Sequence, residues 1–174
     1  MPRRNILALL EGGDRRSIGG SDQAVAMVSK DPARFPELIA GLWSADPLVR
    51  IRAADATEKF TRGHDEFLKP YKKALLGLMA ETKEQELRWH LAAMVPRLPL
   101  SARERQRAAT WMEGYLEDRS SIVKTSALQG LADLARDDSS LRPQVIELVR
   151  QSLKSGTPAM KARSRKLLLH LEDR

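Results

Sequence analysis

The chain has no cysteine, which removes disulfides, thiolate metal sites and a cysteine nucleophile. No apolar run approaches the roughly 18 residues that a membrane-spanning helix needs, so a soluble chain without membrane attachment is expected. The apolar stretch Ile6 to Leu10 behind Arg3 and Arg4 is too short for an export leader, and Glu11 and Asp14 follow it directly. The cytoplasm is the expected compartment. Histidine is scarce: His64, His90 and His170 are all there is, never at the i, i+4 spacing of a helical metal pair, and no acidic cluster completes a set. A phosphate loop and the Gly-x-Ser-x-Gly elbow of hydrolases are missing too. No catalytic residue, metal or cofactor is therefore nominated.

Charge and a repeat are what the chain does have. Thirty basic residues stand against 23 acidic ones, a net charge of +7, and the sequence pI is near 10.0. Such a balance favours an anionic partner, whether nucleic acid or an acidic protein. The excess lies at the carboxyl end, where residues 141–174 hold 8 basic and 3 acidic side chains. At 174 residues and 42% apolar composition one domain is expected over residues 1–174, burying roughly two thirds of the unfolded surface.

The stretch Asp46 to Phe60 sets the pattern. Asp46 is a strong N-cap, and Pro47 suits the first helical position because its missing N–H has no partner to lose there. Val49, Ala53, Ala56 and Phe60 fall on one stripe at 100° per residue. The anchor Val49 recurs as Leu87, Val123 and Met160, at separations of 38, 36 and 37, a period typical of helical arrays. Each anchor is followed by a basic residue, Arg50, Arg88, Lys124 and Lys161, and eleven positions on by Phe60, Leu98, Leu134 and Leu171. Three positions before the anchors stand Asp46, Glu84, Ser120 and Thr157; Thr82 with Gln85 reads as a capping box for the second copy.

Each of these helices is preceded by another. The first begins near Arg34 with Leu38, Ile39, Leu42 and Trp43 on one face, and the second near Pro70 with Leu75, Leu76 and Met79. The third opens at Ser101, in a capping box with Glu104, and presents Trp111 and Met112; the last starts near Leu141 with Val145 and Val149. The reading is all-α: four helical hairpins over residues 34–64, 65–99, 100–138 and 139–174, behind a degenerate amino-terminal cap over residues 1–33. Gly12, Gly13, Gly19 and Gly20 flank Arg15 and Arg16 in that cap, which could instead be a basic contact loop.

The run Asp46-Pro-x-Val-Arg-x-x-Ala53, the short turn before it and the period of 36 to 38 residues resemble HEAT repeats, over residues 34–174. The first copy matches well; Lys124 and Lys161 stand where the family has arginine, and Glu84 where it has aspartate. The resemblance implies a right-handed superhelix with second helices on the concave side. It further implies a ladder in which Asp46 would bond Arg88, with Ser120 and Lys161 as a weaker version. No activity follows, since the fold serves scaffolds, transport receptors and, in a divergent branch, DNA alkylation repair glycosylases.

Opposite the packed stripe, two residues after the anchors, stand Ile51, Trp89, Thr125 and Ala162; one place further come Arg52, His90, Ser126 and Arg163. With Arg88 and Lys166 they nominate Arg52, Arg88, Trp89, His90, Arg163 and Lys166 as binding residues of a groove, centred on Trp89 and basic toward Arg163. Trp43 and Trp111 sit in apolar stripes and are assigned to the core. The basic residue after each anchor is read first as an inter-repeat strut and second as a ligand contact. A protein partner is the leading expectation, nucleic-acid backbone binding the alternative, and an enzyme of the glycosylase type the last. Glu113, Glu117 and Asp118 are the carboxylates that last reading would need. The partner's identity and the oligomeric state are left open.

Overall fold

The computed structural model describes residues 5–172 and is all helical, with no strand among the described residues. Arg3 and Arg4 lie outside that range. The chain divides into two compact units, Met1–Lys69 and Pro70–Arg174, and no described helix is long and apolar enough to cross a membrane.

The first unit holds α1 (Ile6–Leu10), α2 (Ser21–Lys30), α3 (Phe35–Ala40) and α4 (Pro47–Thr61). The first three all pack on α4. The chain's three phenylalanines form one cluster, with the rings of Phe35, Phe60 and Phe67 5.1 to 5.4 Å apart and His64 stacked on Phe60. Helix α3 is short and gives way to a 3-10 turn, Gly41–Trp43. That turn advances each residue by about 120° rather than 100°, which swings Trp43 off the apolar face. Trp43 is 45% exposed, a correction to its assignment to the core.

The second unit holds α5 (Lys72–Glu81), α6 (Gln85–Met94), α7 (Ala102–Tyr115), α8 (Ser121–Arg136), α9 (Arg142–Ser155) and α10 (Pro158–Glu172). They close as the hairpins α5/α6, α7/α8 and α9/α10, and α6 packs on α8 as α8 does on α10. The anchor register holds throughout: Val49, Leu87, Val123 and Met160 are buried, as are Phe60, Leu98, Leu134 and Leu171. At Gly130, halfway along α8, an added Cβ would stand 2.7 Å from both the Ala92 carbonyl oxygen and Met112 Sδ. Glycine is what lets the helices approach there.

The turns between paired helices share a construction. Five positions before the anchor, Ser44, Thr82 and Asp118 each accept the N–H of the residue two places on, at 3.2, 3.2 and 2.8 Å. These are Asx and Ser/Thr turns, which such side chains favour. Asp46 and Ser120 then cap their helices, accepting from the N–H groups of Leu48 and Val123. Arg50 and Arg88, just past the anchors, reach back to the carbonyls of Ser44 and Thr82 at 2.7 and 3.1 Å. The box of Ser101 with Glu104 forms. The box of Thr82 with Gln85 does not, because α6 starts at Gln85 with Glu84 as N-cap and Thr82 is already engaged in its own turn.

Candidate functional site

Arg52 was expected on an open groove, and that placement is corrected: it is buried, with 2% of its surface exposed. The glycine-rich segment after α1 folds over it. Four carbonyl oxygens receive its guanidinium, those of Leu10 at 2.8 Å, Gly12 at 2.5 Å, Asp14 at 2.9 Å and Ser17 at 3.3 Å. Three glycines make the wrap feasible, Gly12, Gly13 and Gly19 all having positive φ, a region where other residues are strained. At Gly19 a Cβ would stand 2.6 Å from the guanidinium carbon. The carbonyl dipoles of this segment thus take the place of water around a buried guanidinium.

Arg88 is likewise committed. Its Nη1 meets Asp118 at 2.7 Å, its Nε the Thr82 carbonyl at 3.1 Å, and its guanidinium lies 5.0 Å from the Tyr115 ring centre. Burial disfavours a charged Asp118. The Ser120 N–H, Arg88 and the Gln85 amide together outweigh it and hold the carboxyl below its usual range. Tyr115 donates its hydroxyl to the Met79 carbonyl at 2.7 Å, and burial pushes its pKa to about 12. The inter-hairpin strut thus runs from an arginine forward to the next turn, whereas the ladder implied by resemblance ran the other way. Asp46 caps its own helix, and in place of Ser120 with Lys161 the hydroxyls of Ser121 and Thr157 meet at 2.7 Å.

Trp89 and His90 are half-buried on α6, their rings 5.4 Å apart. Arg163 and Lys166 are exposed on α10. Arg163 donates to Gln129 Oε1 at 2.8 Å, Gln129 to Asp133 Oδ1 at 3.1 Å, and Arg136 to the same oxygen at 2.7 Å. Arg97, in the turn after α6, adds its field to those of Arg136 and Arg163 at Asp133. Burial nevertheless pushes the Asp133 carboxyl above its ordinary range, against the pull of Gln129 and the three arginines. A hollow of about 430 Å3 opens beside this network between α8 and α10, with Arg142, Leu167 and His170 on its walls. One guanidinium therefore bonds this half-buried carboxylate directly, a second is joined to it through Gln129, and the field of a third reaches it.

Asp133, Arg136 and Arg97 were not nominated from sequence. The signal was present: Arg97 and Asp133 both lie ten residues past their anchors, on the flank already occupied by His90 and Arg163. Of the carboxylates the glycosylase reading needs, Asp118 has three donors and Glu113 is bonded by Gln144 at 2.6 Å.

No family model matches the chain, and no curated protein does. Among solved structures, the crystal structure of an engineered protein from the Northeast Structural Genomics Consortium is similar. It has a TM-score of 0.65 and 19% identity, over 97% of this chain and 78% of that one. Likeness at that identity speaks to the all-helical fold alone.

Proposed function

We propose that the chain is a HEAT-like helical solenoid, wound as a right-handed superhelix, that works as a non-catalytic binding module. Its partner is a protein offering carboxylates to the face of α6, α8 and α10. The observation that carries this reading is the convergence of Arg97, Arg136 and Arg163, from three successive hairpins, on Asp133 and Gln129. Trp89 and His90 supply an aromatic neighbour on α6, where tryptophan and arginine are the side chains that dominate interface energetics. Copurification from the native host with the wild type and with Arg136→Glu/Arg163→Glu tests it. A protein retained by the first and lost with the second supports the reading, and an identical set of proteins on both contradicts it.

Nucleic-acid backbone binding by the same face is the second reading, favoured by the 8 basic against 3 acidic residues of 141–174. It predicts a mobility-shift complex that weakens steeply between low and moderate salt as counterions compete. No complex with DNA or RNA at low salt removes it.

A further inference from the structure

A second concavity lies on different helices and does not depend on the reading above. Between α5 and α7 runs a groove of about 510 Å3, lined by Lys72, Lys73, Leu76, Gly77, Arg107 and Trp111, with Glu104 at its edge. Helix α5 buries only Leu75 and Met79 of its ten residues, so Leu76 is left half-covered. Trp111, read from sequence as core, is half-exposed here and forms one wall. Gly77 keeps the floor low: nothing lies within 4 Å of where its Cβ would stand, in a helix interior where glycine is otherwise disfavoured.

The rim is cationic. Glu104, its one acid, is already taken by Lys72 at 2.9 Å and by the Ser101 N–H at 2.8 Å. Lys73 and Arg107 have no carboxylate partner among the described residues, and Arg103, one turn before Arg107 on α7, extends the rim. The Arg107 guanidinium sits over the Trp111 ring, 5.2 Å from its centre. That contact occupies the face on which a nucleobase would stack, while the carbon floor of Leu76 and Gly77 stays open.

We propose that this groove binds an acidic peptide bearing one apolar side chain. The side chain lies on Leu76, Gly77 and Trp111, and the flanking carboxylates meet Lys73, Arg107 and Arg103. Area and charge divide the work as they do at protein interfaces, the apolar anchor giving affinity and the rim giving orientation.

The three tryptophans are built-in reporters, since Trp43, Trp89 and Trp111 belong to three different elements, the 3-10 turn after α3, α6 and α7. The full chain, labelled with nitrogen-15, is titrated with a short synthetic peptide of one leucine flanked by glutamates. The Trp111 indole N–H and the Gly77 amide are expected to shift saturably while the Trp43 and Trp89 indoles stay put. Lys73→Glu/Arg107→Glu weakens binding about tenfold or more. Gly77→Leu, which fills the groove and raises helix propensity, abolishes binding with the rest of the spectrum intact. Absence of a saturable Trp111 shift overturns the proposal. So does a shift indifferent to Gly77→Leu, or an oligothymidylate that binds at Trp111 more tightly than the peptide.

Discussion

The two units treat the same register position in opposite ways. Arg52 and Arg163 both stand three residues past an anchor. In the first unit the chain's own backbone closes over Arg52 with four carbonyls. In the second, Arg163 is exposed and holds only the Gln129 amide oxygen. Composition follows the same division: residues 1–69 hold 11 basic and 10 acidic side chains, and residues 70–174 hold 19 and 13. A repeat register therefore says which way a side chain leaves its helix and not whether anything covers it. The amino-terminal segment spends one arginine on holding itself, and the surplus charge stands in the unit where it is open.

The comparison breaks most visibly at Arg52. Arg52→Ala strands four carbonyls that lose a charged donor, and an unfolding free-energy loss of about 2–4 kcal/mol is expected. Urea titration measures it, and amide exchange should rise over residues 10–20 first. Next comes the strut of the second unit: Asp118→Asn is expected to cost about 2 kcal/mol at neutral pH. Because the folded carboxyl lies below its usual range, the stability it contributes is present above about pH 4. It is lost as pH falls through the lower folded value. Stability curves of wild type and variant should therefore converge in acid, and parallel curves would deny the charge a role. The smallest effect has the opposite sign. Asp133 titrates above its ordinary range, so the folded state holds that proton more firmly, and the ionised form opposes folding as pH rises past about 4. Asp133→Asn is expected to gain at most about 0.5 kcal/mol at pH 7 and nothing at pH 3, read by thermal melts at both values.

Much of the helical framework was readable because it rests on local chemistry. The buried anchors and the residues eleven places on follow from a 3.6-residue period, and Asp46, Pro47 and the Ser101 box follow from the orphan N–H groups of helix starts. What escaped depends on contacts remote in sequence or on a change of helix type. The carbonyls around Arg52 come from 35 to 42 residues away. The glycines at 12, 13 and 19 hinted at an unusual path there without saying what it enclosed. Trp43 left the core because three residues wind as a 3-10 turn. Asp118 stood in the sequence only as a carboxylate for the glycosylase reading, although with Ser44 and Thr82 it forms a register of its own five places before the anchors. At the candidate site Arg163, Lys166, Trp89 and His90 stand on helices of the second unit, while Arg97, Asp133 and Arg136 emerged only once packing brought their helices together.

Arginine footprinting tests the difference between the units most directly. The intact chain is treated with phenylglyoxal, and modification of each arginine is followed by mass spectrometry of its peptides. Arg163 and Arg136 are expected to react at the rate of exposed arginines, with Arg52 at least about a hundredfold slower because it reacts only when the segment opens. Arg52 reacting as fast as Arg163 would contradict the account.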